Sequence, residues 1–239
     1  MSATSSASTT DDEWEWRSTW PQRAWTLAGS AAILSSLLTC ARLVVAASGE
    51  GLLAAAMAAF AGYSLADLAT GVYHWSIDNY GDATSPLFGA QIVAFRDHHL
   101  RPSAITRLEP CNSLHVLAAA VAVALPATGA ALSATGWSAA AHAFACAFAA
   151  CAMLSVQFHA WAHERPSRLP PGVAALQAAG VLVSRSQHAG HHRPPHSNNY
   201  CTVSGMWNPV LDGCKVFHAM EKVIYLATGV RPRSWETKI

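Results

Sequence analysis

The sequence predicts an all-α integral membrane bundle of four transmembrane helices, with a histidine-rich cytoplasmic or stromal cap and an amphipathic C-terminal helix. Three observations carry that prediction. Hydrophobic residues make up 52% of the chain and charged residues only 12%, about half the usual charged share of a soluble globule. Four apolar runs approach the roughly 20 residues that a helix needs to cross the hydrocarbon core. Of the 15 Lys and Arg residues, all but Arg42 fall on one side of the four-span topology, which makes that side cytoplasmic or, in a plastid, stromal. The 239 residues fit one domain, read as an unstructured segment over 1–20 and a membrane domain over 21–239. The net charge of +1 excludes nucleic acid as a partner, since that needs a basic surface.

The elements follow in order. Residues 1–10 are rich in Ser, Thr and Ala, and DDEWEW follows at 11–16. The acids, and a first arginine only at Arg17, make a poor transit peptide, and there is no apolar stretch of a signal peptide. Trp14, Trp16 and Trp20 suit the headgroup layer. The first span runs from Ala24 to Ser48 with Arg42 near its end, and the second from Gly51 to Tyr73 with Asp67 inside it. The third, Leu114 to Thr135, and the fourth, Ser138 to Phe158, form a hairpin across a short loop. Pro126 is tolerable within a spanning helix, and the alanine-rich stretches allow close helix approach. Val173 to Val183 is too short to span and is assigned to the interface. Val210, Val216, Phe217, Met220, Val223 and Ile224 recur at helical spacing beside Lys215 and Lys222, the pattern of an amphipathic surface helix. Six cysteines show no CxxC pair; Cys40, Cys146 and Cys151 lie in apolar runs as small hydrophobes, and no disulfide framework is read.

The twelve histidines are the conspicuous feature. His74 leaves the second span, His98 and His99 lie in the polar segment after it, and His115 opens the third span. His159 and His163 close the fourth, and His188, His191 and His192 follow in QHAGHH. All nine fall on one membrane face. His159 and His163 are four apart, and His188 repeats that geometry with His191 and His192, so a helix would present each set on one side. Imidazole binds Zn, Cu, Fe and Ni, and nine histidines exceed the four-coordinate need of one zinc. The bland readings compete at two points: His115 alone would suit an interfacial or capping role, and the His98–His99 pair alone a solvated loop. A merely structural role does not explain HxxxH together with HxxHH on one face.

His142, His196 and His218 are left out of the candidate site. His142 precedes His159 by 17 residues, about 25 Å on a helix, and so lies near the opposite face. His196 sits in a proline-flanked loop and His218 in the surface helix. Asp67 is expensive within a span; it lies seven residues before His74, and either orients a ligating imidazole or pairs elsewhere in the bundle. Asn199 and Asn208 are further candidates for orienting a ligand, with Asp78, Asp82 and Asn112 weaker ones that suit local loop or cap roles.

The segments GVYHWSIDNYGD, the HH pair, QFHAWAH, SRSQHAGHH and NNYCTVSGMWN resemble the Kua-type lipid desaturases, over nearly everything from Arg17 to Trp235. That family includes plasmanylethanolamine desaturase of animals and some bacteria. It also includes a plant plastid enzyme that introduces a trans double bond at carbon 3 of palmitate on phosphatidylglycerol. RSTWPQRAW and GVRPRSW are similar to the plastid branch. The resemblance implies a membrane desaturase domain over 21–239 with two iron ions, O2 as co-substrate and a lipid substrate, phosphatidylglycerol foremost. It implies electrons from ferredoxin in a plastid, or from a b-type cytochrome elsewhere. Its histidine boxes carry over to His98 with His99, His159 with His163, and His188 with His191 and His192; His74 and His115 also match. The plastid relatives are similar to precursors with a substantial transit peptide, whereas here about 20 residues precede the matching region. The similarity to the plastid branch makes a plastid membrane the expected location, and the short leading segment keeps an endomembrane as the alternative. The nearest rival is vinyl ether formation in a plasmalogen. A lipid hydroxylase on the same site is a further one, and a histidine-rich metal transporter is the rival from another class. Transport fits less well, because the third and fourth spans lack polar groups at mid-depth.

Overall fold

The computed structural model describes residues 16–47, 49, 51–134 and 138–236, and no strand occurs among them. Four helices are long and apolar enough to cross a membrane: α1 (Trp20–Ala46), α2 (Leu52–Asn79), α4 (Pro110–Ala134) and α5 (Ala139–His163). The cap is built from α3 (Gly89–Leu100), a 3-10 turn at Pro102–Arg107, α6 (Val173–Ala178), α7 (Arg185–His191), α8 (Asn208–Gly213) and α9 (Val216–Thr228). The expected all-helical bundle of four spans is the observed architecture.

Of the segment expected to be unstructured, residues 1–15 lie outside the described residues. From Trp16 onward the chain is tied down: Glu109 N–H donates to the Trp16 carbonyl (2.9 Å) and Ser18 N–H to the Glu109 carboxylate (2.8 Å). Thr19 then starts α1 with a reciprocal cap, its hydroxyl accepting from Gln22 N–H while its own N–H donates to the Gln22 side chain.

The helices run past the apolar spans that hydropathy marks, and they do so at the histidine face. Helix α2 continues beyond Tyr73 to Asn79, α5 continues beyond Phe158 to His163, and α4 starts at Pro110 rather than Leu114. Apolarity sets how much helix the bilayer covers. Where the helix stops depends on capping, here an extended Tyr80 followed by Gly81 at φ 71°. Those extra turns carry His74, Asp78, His159 and His163 out to the membrane surface.

Helix α2 packs chiefly on α5, and α1 on α4. Small residues permit the approach: a Cβ on Gly62 would stand 2.5 Å from the Phe144 carbonyl oxygen, and one on Gly29 2.7 Å from that of Ala118. In the cap, α9 buries Phe217, which stacks on Trp75 (5.3 Å, 22°), and turns Val223 and Leu226 outward. Within 173–183, Leu176 and Val181 are exposed as an interfacial segment requires, while Val173 and Val183 are buried. All six cysteines are free.

Candidate metal centre

Two groups of side chains that could hold a metal ion meet where α2, α3, α5 and α7 converge, the ligand atoms of each lying within 4.8 Å of one another. The first comprises His98 from α3, His159 and His163 from α5, and His188 and His192 from α7 and its C-cap. The second comprises His74 and Asp78 from α2, His99 from α3 and His191 from α7. Helical spacing does the gathering. Residues four apart point the same way, so α2 supplies a His–Asp pair, α5 a His–His pair and α7 the pair His188–His192.

In the first group the Nε2 atoms face one another: His98 to His159 at 2.9 Å, His159 to His163 at 3.2 Å, His163 to His188 at 2.9 Å and His188 to His192 at 3.2 Å. Imidazole nitrogens at right angles on a metal ion, with bonds of about 2.1 Å, lie about 3 Å apart. The observed spacings fit that requirement. In the second group His99 and His191 bring their Nε2 atoms to 3.0 Å. One Asp78 oxygen stands 3.3 Å from His191, 3.4 Å from His74 and 3.6 Å from His99.

Backbone carbonyls fix the rings. His74 Nδ1 donates to the Tyr200 carbonyl (3.0 Å) and His191 Nδ1 to that of Asn198 (2.8 Å). A carbonyl only accepts, so the proton sits on Nδ1 and the Nε2 lone pair points into the group. Burial, and then the neighbouring imidazoles, lower the pKa of His98 to about 3, of His99 to about 2 and of His192 to about 3. His188 is pushed well below the ordinary histidine value by the same causes. Burial thus favours, in these four rings, the neutral form that binds a metal.

Asp78 makes the strongest physical case for a cation. It is 9% exposed, and neither carboxylate oxygen has a hydrogen-bond partner among the described residues; the same holds for His74 Nε2. A buried carboxylate without a hydrogen-bond partner is costly unless positive charge joins it.

Eight of the nine expected histidines enter these groups and His115 does not. Its Nδ1 bonds the Asn112 carbonyl (2.7 Å) within the first turns of α4, whose start is tied to the N-terminal segment instead of the cap. Among the described residues, none of Asp67, Asn199 and Asn208 hydrogen-bonds a histidine ring, and Asp67 takes the other course open to it, pairing elsewhere in the bundle. Asp67 lies too deep in α2 to reach the rings. One of its oxygens accepts from the N–H groups of Val203, Ser204 and Gly205 (2.8–3.0 Å), and the other from Trp207 N–H (3.4 Å). Asn208 brackets Cys201, accepting from its N–H and donating to its carbonyl. Asn199 N–H donates to Asp212. All three shape the loop whose carbonyls aim His74 and His191.

Of the weaker candidates, Asp82 caps the turn at Thr84 and Asn112 donates to the Arg17 carbonyl, whereas Asp78 belongs to the second group. Its spacing from His74, HxxxD on a helix, was the available sign. The Asn198 and Tyr200 carbonyls had none. His196, set aside on sequence grounds, stacks flat on His99 (4.3 Å, 9°) and bonds the His191 carbonyl through Nδ1 (3.1 Å), beside the group but not within it.

Comparison with known proteins agrees with this geometry. Residues 63–235 match the lipid desaturase domain. The chain is 50% identical over 218 residues to fatty acid desaturase 4, chloroplastic, of Arabidopsis thaliana, covering 91% of this chain and 65% of that protein, just under two thirds of its length. It is 33% identical to the plasmanylethanolamine desaturase of Myxococcus xanthus (72% of this chain, 61% of that one). It is 29% identical to plasmanylethanolamine desaturase 1 of Mus musculus (75% and 69%). No solved structure matches. The domain match runs through every residue of both groups and through the loop that aims them, and the chain belongs to the lipid desaturase family.

Proposed function

We propose that this protein is an O2-dependent membrane lipid desaturase that holds two iron ions, one in each histidine group. Its product is the trans double bond at carbon 3 of palmitate esterified to phosphatidylglycerol. The observation that carries the reading is the interleaving of the groups. The adjacent residues His98 and His99 serve different groups, and so do His191 and His192. Two ions held this way would be close neighbours. Nine ligand atoms are fewer than the roughly twelve positions of two octahedral ions, which leaves room for other ligands.

Bound iron would supply the oxidising chemistry: one O2, two electrons and two protons, with the two hydrogens of a –CH2–CH2– pair, give –CH=CH– and two waters. The chain's own part is placement. Helix α2 has 28 residues, about 42 Å against a hydrocarbon core of about 30 Å, so roughly 6 Å extends beyond each side. His74 lies five residues before its end, about 7.5 Å, close to the hydrocarbon boundary. A lipid presented there offers the first carbons beyond its glycerol linkage. Carbon 3 of an ester-linked chain meets that condition, and so does the first bond of an ether-linked chain. The second reading, a plasmanylethanolamine desaturase, rests on that equivalence and on the bacterial relative.

The chloroplastic name of the 50% identical plant relative supports a plastid membrane, with the histidine face toward the stroma and ferredoxin as the electron donor. Arg96, Arg101, Arg165, Arg168, Arg185 and Arg193 are all exposed on that face and suit an acidic donor. Transport is disfavoured: Asp67, the carboxylate nearest mid-depth of a span, is already occupied by four backbone N–H groups.

The test is lipid mass spectrometry with double-bond localisation on plant leaves expressing the protein, beside a His159→Ala/His163→Ala control. The expected result is a 16:1 chain unsaturated at carbon 3 of phosphatidylglycerol, absent in the control. Vinyl ethers formed from supplied alkyl lipids, with phosphatidylglycerol unchanged, would move the assignment to the second reading. No altered lipid in cells that contain iron-loaded protein and donor would overturn both.

A further inference from the structure

A second polar site lies at the opposite end of the bundle. There α1 and α4 bound a cavity of about 270 Å³ lined by Ser35, Ser36, Thr39, Ser133 and His142 among others. That is more than a single bridging water needs. His142 is 2% exposed, and its Nε2 has no hydrogen-bond partner among the described residues. Leaving a buried nitrogen unpartnered is costly, and four hydroxyl side chains line the same cavity. This is an unusual concentration of polar groups beside hydrocarbon.

Depth and charge identify the ligand chemistry. His142 is the fourth residue of α5, about 5 Å from the helix start. In a helix of 25 residues, about 37 Å long, that position falls at the hydrocarbon boundary of the far leaflet. Residues 32, 35, 36 and 39 of α1 line the cavity, and continuing that stripe by three residues reaches Arg42. Arg42 is exposed and is the one Lys or Arg in the sequence assigned to this side of the membrane. A cation at headgroup depth next to a recess that carries hydroxyls, with an imidazole near its mouth and Ala32, Leu125 and Pro126 deeper in, matches a phosphate ester carrying a polyol.

We propose that this recess binds the headgroup of an anionic phospholipid from the leaflet opposite the histidine groups. Arg42 meets the phosphate, and the hydroxyls and His142 receive the headgroup or glycerol oxygens. This site is separate from the one that presents substrate. His142 and His159 are 17 residues apart on α5, about 25 Å, so the lipid held here supports the α1–α4 pair and does not react.

The test uses the full chain in nanodiscs containing a photo-crosslinkable phosphatidylglycerol carrying its reactive group near the headgroup, with crosslinked residues read by peptide mass spectrometry. The expected result is labelling of residues 35–42, of Ser133 and of residues 138–142, falling at least tenfold in Arg42→Gln and in His142→Phe. Labelling near His159 is expected to stay unchanged. Arg42 is exposed, so its replacement leaves packing intact; equal far-side labelling in Arg42→Gln and wild type would overturn the proposal. So would equal labelling by a phosphatidylcholine probe, which carries no net charge. Millimolar inorganic phosphate separates the two sources of the same chemistry: displacement of the probe by phosphate alone would mark a simple anion site and overturn the lipid assignment. Loss of labelling on both faces in His142→Phe would mean that this variant misfolds, and Arg42→Gln then decides.

Discussion

Asp78 stands one helical turn beyond His74, so the same face of α2 delivers an imidazole and a carboxylate to one point. The carboxylate gives the second group a negative charge that the first lacks, and it would make two ions bound as proposed inequivalent. Replacing Asp78 with Asn keeps the shape and removes the charge. The expected outcome is a fall from two metal ions per chain to nearly one, by elemental analysis, with desaturase activity reduced at least about 100-fold, beyond the cost of losing an outer partner. Retention of both ions in Asp78→Asn would remove it from the ligand set. The histidines were legible in the sequence because i, i+3 and i+4 spacing and a common membrane face constrain them twice. Asp78 carried only the spacing, and HWSIDN reads equally well as the polar end of a span. The groups that aim His74 and His191 are main-chain carbonyls, which every residue possesses, so no residue type could announce them.

At the scale of the element, the last turn of α2 is held by residues from the far end of the chain. Arg233 donates to the carbonyls of Ile77, Asp78, Tyr80 and Gly81, satisfying groups that a helix C-terminus leaves open. Ser234 N–H donates to Asn79, and the buried Glu221 of α9 accepts from Trp75, Ser234 and Trp235. The turn that carries His74 and Asp78 thus takes its position partly from residues about 150 positions away. Sequence reading found α9 by its periodicity but not this clasp, since a buried glutamate among apolar residues looks like a surface charge until its partners are known. Arg233→Ala is expected to weaken metal binding in the second group about tenfold, the low end for an orienting partner, while the first group keeps its ion. Arg233→Lys is expected to restore little, because one ammonium cannot reproduce a fork spanning several carbonyls. Unchanged metal content in Arg233→Ala, measured during chelator competition, would show that the turn holds itself.

For the whole molecule, hydropathy places the spans and charge arithmetic gives their expected orientation, because both reflect the bilayer as a solvent. Tertiary contacts determined what they could not: the helical extensions beyond the apolar runs, and the departure of His115 from the groups its neighbours form. The same charge asymmetry that orients the chain leaves the histidine face basic, and this has a kinetic consequence if an acidic donor delivers the electrons. Arg96, Arg168 and Arg193 are exposed and stand on different segments of the cap, so they attract a donor through the summed field. That field is screened within about 10 Å at 0.1 M salt and about 3 Å at 1 M. With ferredoxin as donor, kcat/KM for the donor is expected to fall several-fold between 0.05 and 0.5 M salt, on the scale usual for steered association. An Arg96→Gln/Arg168→Gln/Arg193→Gln variant is expected to start low and respond weakly to salt, with metal content and the lipid KM unchanged. A small neutral reductant in place of ferredoxin separates docking from chemistry. If the salt effect persists with that reductant, ionic strength acts on the lipid or the metal groups, and the basic face serves only to orient the chain in the membrane.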